Sequence, residues 1–162
     1  MSSKTESSIT LTNRKAFHNY NILKKYEAGI VLLGSEVKSI RSGKASLKDG
    51  YVYLDKGELF ITGLHIAVYP NSGSFAPDPD RDRKLLMHKR EIIKIASELK
   101  KTGLTIVPLR LYFRNGKVKI EIALAKGKKL YDKREDLKKK DQNRDALRQI
   151  KGVTGLDRNG GR

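Results

Sequence analysis

The sequence of 162 residues contains no cysteine. This absence excludes a disulfide framework, a thiolate metal site and a cysteine nucleophile. Long apolar runs are missing as well: no window approaches the roughly 20 residues of a membrane-spanning helix, and the polar N-terminal segment has no apolar core of signal-peptide length. We therefore expect a cytoplasmic protein that has no membrane partner.

Acidic residues are few relative to basic ones. Lys and Arg number 35 against 18 Asp and Glu, which gives a formal net charge of +17 at pH 7. A compact domain with this much self-repulsion commonly binds a polyanion, either a nucleic acid or an anionic membrane. The alternative is a basic protein whose charge serves only to keep it in solution.

Composition divides the chain into three segments. Residues 1–8 are rich in Ser and charge and are expected to be disordered. Residues 9–126 contain the apolar and alternating runs of one folded domain. Residues 127–162 form a basic tail whose apolar residues are too sparse for a core, although 133–151 contain neither Gly nor Pro. We expect this tail to be disordered alone and helical when a partner holds it.

Two helices and a strand are predicted near the N-terminus. Thr12 and Asn13 are good cap residues for a short helix over 12–20. The apolar run at 26–34 is typical of a buried strand. The segment from Ser35 onward predicts a second helix that packs on one side and presents cations on the other. These cations are Lys38, Arg41 and Lys44.

In the middle of the chain, apolar and polar residues alternate, and a loop is predicted to follow. Residues 51–69 have a strand pattern with a turn at 55–57. The segment 70–80 holds three of the four prolines and predicts an exposed loop, with the basic cluster 81–84 at its far edge.

A helix and a β-hairpin are predicted next. The helix covers 88–101, and a β-hairpin of 104–113 and 117–125 is indicated by the Asn-Gly pair at 115–116. Pro108 cannot donate to a strand ladder and predicts a bulge or an edge. The expected buried stripe of the helix is Ile92, Ile93, Ala96 and Leu99.

These elements favour a mainly β fold with flanking helices. Several short antiparallel strands, with too few helices to cover both faces, indicate a small closed antiparallel β-barrel. An α+β sandwich is the alternative.

No catalytic or metal centre is evident. The histidines His18, His65 and His88 are far apart, and His88 with Glu91 supplies only two ligands. The string at 125–129 lacks the spacing of a phosphate-binding loop. We therefore expect a protein that is not an enzyme and needs no cofactor or metal.

The remaining pattern is that of an RNA-binding protein. Lys and Arg occur on the predicted helices, on strand faces and along the tail, where they can contact phosphates. Aromatic residues suited to stacking on bases accompany them, although each taken singly is more often a core residue. Tyr131 is the exception, because its segment has no core to enter. The aromatic residues are Phe17, Tyr20, Tyr112 and Tyr131.

Five blocks of this sequence resemble the SmpB family, the SsrA (transfer-messenger RNA)-binding proteins of bacteria. The blocks run in order and are 13–20, 27–49, 83–92, 103–113 and 117–135. The resemblance implies a β-barrel of the oligonucleotide-binding type and a role in trans-translation.

The resemblance also implies the partners. The protein would bind the tRNA-like end of transfer-messenger RNA and deliver it, with elongation factor Tu and GTP, to a ribosome stalled on an mRNA without a stop codon. The tail would enter the empty mRNA channel at the small-subunit decoding site and become helical there. A general single-stranded RNA-binding or ribosome-assembly protein is the alternative.

The resemblance implies site residues at the positions of this sequence that match the family's motifs. The family's RNA-contacting positions fall on Asn13, Glu27, Leu86 and His88, and charge alone adds Lys15, Lys38 and Arg41. The family's ribosome-acting motif falls on Lys126, Lys128, Lys129, Tyr131, Asp132, Lys133 and Arg134. Glu27 is unexpected because a carboxylate repels phosphate, but it can accept hydrogen bonds from the amino groups of exposed bases. A strand-end charge paired with a neighbouring lysine is the alternative reading.

Overall fold

The computed structural model describes residues 9–156, apart from the side chains of residues 75, 130–132 and 150–156. The chain forms two compact units, Met1–Gly127 and Lys128–Arg162. The segment predicted to be disordered, 1–8, lies outside the described residues.

The first unit combines three short α-helices with nine strands in its described part. The helices are α1 (Arg14–Asn19), α2 (Gly34–Arg41) and α3 (Lys89–Leu99), and a 3-10 turn covers Gly73–Phe75. The strands are β1 (Leu11–Thr12), β2 (Tyr20–Ile30), β3 (Ala45–Ser46), β4 (Tyr51–Asp55), β5 (Glu58–Thr62), β6 (His65–Ile66), β7 (Arg83–Leu86), β8 (Leu104–Arg114) and β9 (Lys117–Gly127).

Seven strands form one antiparallel sheet that closes on itself. The strand order is β1-β8-β4-β5-β7-β2-β9, and β9 pairs again with β8. The ring is uneven, because β9 is paired along nearly its whole length on both edges, whereas β4 meets β8 only at Val52 and Ile106. The prediction of a mainly β fold with a closed antiparallel sheet and flanking helices is confirmed, although the ring is not a regular barrel.

Apolar residues lie on both faces of the β2–β9–β8 ribbon. Strand β9 directs Val118, Ile120 and Ile122 into the enclosed core, where full burial of each such side chain contributes about 1.5–3 kcal/mol. On the opposite face, Ala123 and Ala125 are fully buried in a second, smaller cluster beneath α1. The other members of that cluster are Ala16, Val107 and Leu109, with Phe17, Tyr20 and Ile22 packed against them.

The predicted bulge at Pro108 anchors α1. The β8–β9 register shifts between Pro108 and Arg110, which confirms the irregularity. Asn13 caps α1 by accepting from the Ala16 amide at 3.2 Å, and its side-chain amide donates to the Pro108 carbonyl at 3.0 Å. The backbone amide of Asn13 also donates to the Leu109 carbonyl at 2.7 Å. The bulge and the cap therefore fix the helix on the sheet.

Two sequence predictions are wrong in detail. In α3, Ile95 is fully buried and Ile93 is 60% exposed, so Ile95 replaces Ile93 in the buried stripe. The predicted strand after residue 57 breaks at Gly63, which has a φ of +72°. A Cβ there would lie 2.2 Å from the Asp49 carbonyl oxygen, so this close approach requires glycine.

One member of the predicted basic cluster 81–84 does not contribute to the surface, because Arg83 is fully buried. Its Nε donates to Oε2 of Glu36 at 2.6 Å, and its Nη1 donates to the Leu64 carbonyl at 2.7 Å. Its Nη2 donates to the Pro79 carbonyl at 3.1 Å. A buried guanidinium is tolerated when its donors are satisfied in this way.

Glu36 completes this buried network. It is 2% exposed and accepts from Arg81, Arg83 and, at 3.0 Å, the Leu33 amide at the start of α2. Burial alone would raise the pKa of the Glu36 carboxyl, but the hydrogen bonds from Arg81, the Leu33 amide and Arg83 lower it below the usual 4.5. The network joins α2 to β7 and to the preceding loop.

The second unit contains the helix α4 (Leu130–Leu156) in its described part. Leu137 and Leu147 are 48% and 59% exposed, so α4 buries neither of these apolar side chains. The Lys128 ammonium donates to Asp136, and this hydrogen bond lowers the pKa of the Asp136 carboxyl. The helix agrees with the helix-forming composition, and disorder of the tail away from the ribosome stays a prediction.

The buried network leads to a stability prediction. Replacing Glu36 by Ala leaves the Arg83 charge buried without its carboxylate and should lower the free energy of unfolding by about 3–5 kcal/mol, measured by urea denaturation. The exposed Glu98, paired with Lys101 at 2.7 Å, provides the control Glu98→Ala, which should cost at most about 1 kcal/mol.

The same network predicts that the stability of the fold depends on pH in the acidic range. Because the folded-state pKa of Glu36 is depressed, its stabilisation is present above the ordinary value of 4.5 and is lost as the pH falls through the folded value. The Glu36→Gln variant should lose less stability than the unmodified chain over that acidic range. An equal loss in both would contradict an ionised Glu36 in the network.

Candidate RNA interface

Four strands place candidate RNA-binding residues on one surface. Strands β7, β2, β9 and β8 each have a side that faces away from the enclosed core. We call this surface the outer face, and it excludes the part around Ala123 and Ala125 that α1 covers. Strand pairing sets Leu86 opposite Gly29, Gly29 opposite Lys119, and Lys119 opposite Tyr112. Neighbouring strands are about 4.8 Å apart, so this row spans roughly 14 Å. The adjacent row on β2 and β9 pairs Glu27 with Glu121.

Glu27 lies in a polar cluster that crosses this face. The Tyr112 hydroxyl donates to Oε2 of Glu27, and Nη1 of Arg114 lies 3.2 and 3.1 Å from the two carboxylate oxygens. The hydrogen bond from Tyr112 lowers the pKa of Glu27, partial burial opposes this effect, and Arg114 lowers it further. Burial and the Glu27 hydrogen bond raise the pKa of Tyr112 to about 12. At neutral pH the carboxylate is therefore ionised and the phenol protonated.

The partners of Glu27 within the protein differ from the neighbouring lysine of the alternative reading. They are Arg114 and Tyr112 rather than a lysine, and Tyr112 uses its hydroxyl within the protein. A carboxylate offers about four acceptor sites, so one remains for an RNA donor. Sequence reasoning missed Arg114, because 87 residues separate it from Glu27 and only strand pairing brings them together.

Cations on aromatic rings extend the basic surface. The Arg110 guanidinium and the Lys25 ammonium lie 5.8 and 6.0 Å from the centroid of the half-buried Phe17 ring. Lys25 also lies 3.8 Å from Glu121. Such contacts contribute about 0.5–1 kcal/mol at exposed sites and hold the long side chains in place. Phe17 thus orients cations, and with Tyr20 it packs against the cluster under α1.

Two of the three cations predicted for the second helix lie on α2 and are held in a similar way, whereas Lys44 lies beyond the end of α2. Lys38 lies 5.4 Å from the Tyr69 ring centroid, and Arg41 lies 5.3 Å from that of Phe113. Both cations are exposed, so their charge is available to a phosphate.

The other predicted RNA-binding residues are more dispersed. Leu86 is 51% exposed on the outer face, and His88 is the exposed residue at the N-cap position of α3. Lys15 is exposed but forms an ion pair with Asp49 at 3.2 Å. Asn13 is only 4% exposed and its side chain is engaged in capping α1. The structure therefore brings Glu27 and Leu86 to one face and places Asn13 and Lys15 at α1.

The tail motif is distributed over the end of β9 and the beginning of α4. Lys126 pairs with Asn21 and Leu104 within the sheet. Lys128 and Lys129 precede α4, whereas Lys133 and Arg134 lie in its first turns. The side chains of Tyr131 and Asp132 are outside the described residues, so the stacking of Tyr131 stays a prediction.

The described part of the chain contains no group of three or more His, Cys, Asp or Glu side chains that could hold a metal ion. His65 instead pairs with Asp80 at 2.8 Å. None of the described helices has the length and apolar character to cross a membrane.

Comparisons with known proteins agree on one family. The sequence profile of the SmpB protein family matches residues 10–152. An SsrA-binding protein of Sulfurihydrogenibium sp. is 56% identical over 148 residues, covering 91% of this chain and 97% of the relative. One from Streptococcus mutans is 49% identical over 152 residues, covering 94% and 98%.

A solved structure provides an independent comparison. It is described as "tmRNA-SmpB: a journey to the center of the bacterial ribosome", and one of its chains is 44% identical with a TM-score of 0.63. The match covers 75% of this chain and 85% of that chain. By sequence across nearly its whole length and by fold, this chain belongs to the SmpB family.

Proposed function

We propose that this protein is a non-enzymatic RNA-binding factor of trans-translation. It binds the tRNA-like domain of transfer-messenger RNA and delivers it to stalled ribosomes in the cytoplasm. The observation that carries the proposal is the family match over residues 10–152, a range that includes the outer face and the tail motif. The name SsrA-binding protein, shared by the relatives, supports the same RNA partner.

The outer face has the chemistry that folded RNA requires. Cations contact phosphates and supply the salt-dependent part of the affinity. The ionised Glu27 accepts hydrogen bonds from base amino groups in loops, where base edges are exposed. Arg114 and Tyr112 hold that carboxylate in place before RNA arrives, which reduces the entropic cost of binding.

The tail has a separate role in this proposal. A helix with few apolar residues has little driving force to pack on its own protein, but its cations suit a channel lined by ribosomal RNA. Lys126, Lys128, Lys129, Tyr131, Asp132, Lys133 and Arg134 would act at the small-subunit decoding site and mRNA channel. Elongation factor Tu with GTP would accompany the complex during delivery.

A comparison of RNA ligands tests the function. The protein should bind a transcript of the tRNA-like domain of transfer-messenger RNA at least about tenfold more tightly than bulk tRNA at physiological salt, measured by filter binding. Equal affinity for both and for an unstructured RNA of the same length would favour the alternative, a general single-stranded RNA-binding or ribosome-assembly protein.

Truncation separates the two proposed roles. Ending the chain after Gly127 keeps β9 complete and removes the second unit. This variant should retain its fold and its affinity for the tRNA-like transcript, because the outer face lies in the first unit, but it should not support peptide tagging on stalled ribosomes in a reconstituted translation system. Loss of RNA binding together with tagging would refute this division.

The Glu27 cluster yields a spectroscopic prediction. In Glu27→Gln the carboxylate charge is lost, so the pKa of Tyr112, which is about 12, should fall towards the ordinary 10. Labelled-tyrosine NMR during an alkaline titration measures this shift. The same variant should bind the tRNA-like transcript more weakly, whereas Glu98→Gln, which alters the pair with Lys101 at the end of α3, should bind normally. Unchanged binding by Glu27→Gln would remove Glu27 from the RNA surface.

A further inference from the structure

The hairpin of β4 and β5 has an outward side that lies outside both core clusters of the described residues. Its two-residue turn, Lys56–Gly57, has positive φ at both positions, which fixes direct pairing between the two strands. Since side chains alternate along a strand, the buried residues, among them Val52 and Ile61, point to the enclosed core and those between them point outward. We call the outward residues the β4–β5 face: Tyr51, Tyr53, Asp55, Glu58, Phe60 and Thr62.

A stacked aromatic pair lies in the middle of the β4–β5 face. The ring centroids of Tyr53 and Phe60 are 5.7 Å apart at an interplanar angle of 22°, and both residues are half-buried. The Tyr53 hydroxyl donates to Asp82 at 2.8 Å, which holds the ring in place. Tyr51, on the same side of β4, is 54% exposed. The face therefore offers flat apolar surface that is ordered before a partner binds, as aromatic anchor sites in protein interfaces are.

The charge around this face is opposite to that of the whole protein. Residues 49–82 contain six acidic and two basic residues, whereas the full chain carries +17. On the face itself, Asp55 lies directly opposite Glu58, an unfavourable arrangement for like charges. Glu58 forms an ion pair with Lys84 at 2.8 Å, but Asp55 has no ion-pair partner in the part of the chain that the structure describes. The face therefore repels phosphates and attracts a cation.

Arginine is the protein cation that fits this combination of rings and carboxylate. Its planar guanidinium stacks on aromatic rings and also binds carboxylates, whereas the lysine ammonium has no plane for stacking. The same contact occurs within this chain, where the Arg41 guanidinium lies 5.3 Å from the centroid of Phe113. A metal ion would need more ligands, and among the described residues no group of three or more candidate side chains is available to it.

We propose that the β4–β5 face is a docking surface for a cationic protein partner, which places an arginine side chain on the Tyr53–Phe60 pair with its guanidinium directed to Asp55. This inference goes beyond the proposed function, because it adds a protein partner on strands other than those of the outer face. The contrast in charge orients the molecule, since the two faces attract partners of opposite charge.

A peptide titration tests the docking surface. The probe is a nonapeptide of alternating Gly and Arg, added to the full chain with labelled tyrosine and phenylalanine and followed by NMR. The ring resonances of Tyr51, Tyr53 and Phe60 should shift. The same peptide with Lys in place of Arg should bind about twofold more weakly or worse, because its ammonium does not stack. Shifts that appear only at other rings, or no shifts, would overturn the proposal.

Substitutions on the face separate the contribution of the ring from that of the charge. Tyr53→Leu should weaken peptide binding about two- to fivefold, whereas Tyr53→Phe keeps the ring and should retain most of the affinity. Asp55→Asn should weaken peptide binding by about twofold or more. The control Glu98→Gln removes the same charge on α3, where Glu98 pairs with Lys101, and should bind the peptide normally.

The outcomes distinguish this surface from the RNA function. Tyr53→Leu and Asp55→Asn should not weaken binding of the tRNA-like transcript, because neither residue lies on the outer face. Weaker transcript binding by both variants would assign the face to RNA and overturn the proposal. If both variants bind the peptide normally while the unmodified chain prefers the tRNA-like transcript, the docking surface is wrong and the function stands. If Tyr53→Leu changes the circular dichroism spectrum, Asp55→Asn decides, and normal peptide binding by it overturns the proposal.

Discussion

The pairing of β9 with β2 on one edge and with β8 on the other is the constraint on which the rest of this structure depends. One side of the paired strands encloses the apolar core. The opposite side provides the surface on which α1 packs and, next to it, the outer face. Since side chains alternate along a strand, a slip of one residue would bury Lys119 and expose Ile120. The same register that stabilises the core therefore also positions the side chains that we propose to bind RNA.

Ionic groups in this protein have two different uses. Arg83 and Glu36 are buried, mutually satisfied and attach α2 to β7, so they contribute to the fold and not to the basic surface. The exposed cations Arg41, Lys38 and Arg110 instead lie over aromatic rings, which restricts their motion while leaving their charge in solvent. The net charge of +17 therefore overstates the charge available to RNA, because some cations are committed to internal pairs.

The two units differ in how their structure is stabilised. The first unit has an enclosed core and a closed ring of strands, so its surface exists before any partner binds. The described part of the second unit is a helix with exposed leucines, and helices of this kind obtain most of their stability from packing against another surface. A preorganised first unit, and a second unit whose helix we predict to depend on a partner, suit the two proposed partners, a folded RNA and the ribosomal channel.

The sequence by itself determined the local features: the Asn13 cap, the turn at 115–116, the bulge after Pro108 and the mainly β class. Each of these depends on residues adjacent in the chain, and the family resemblance added Glu27 and Leu86 as RNA positions. Only the tertiary structure decided that Arg83 is buried, that Arg114 holds Glu27, and that Gly29 lies opposite Leu86. Alternation indicates the face on which a residue lies, but the partner strand is chosen by contacts between residues tens of positions apart, which no local pattern records.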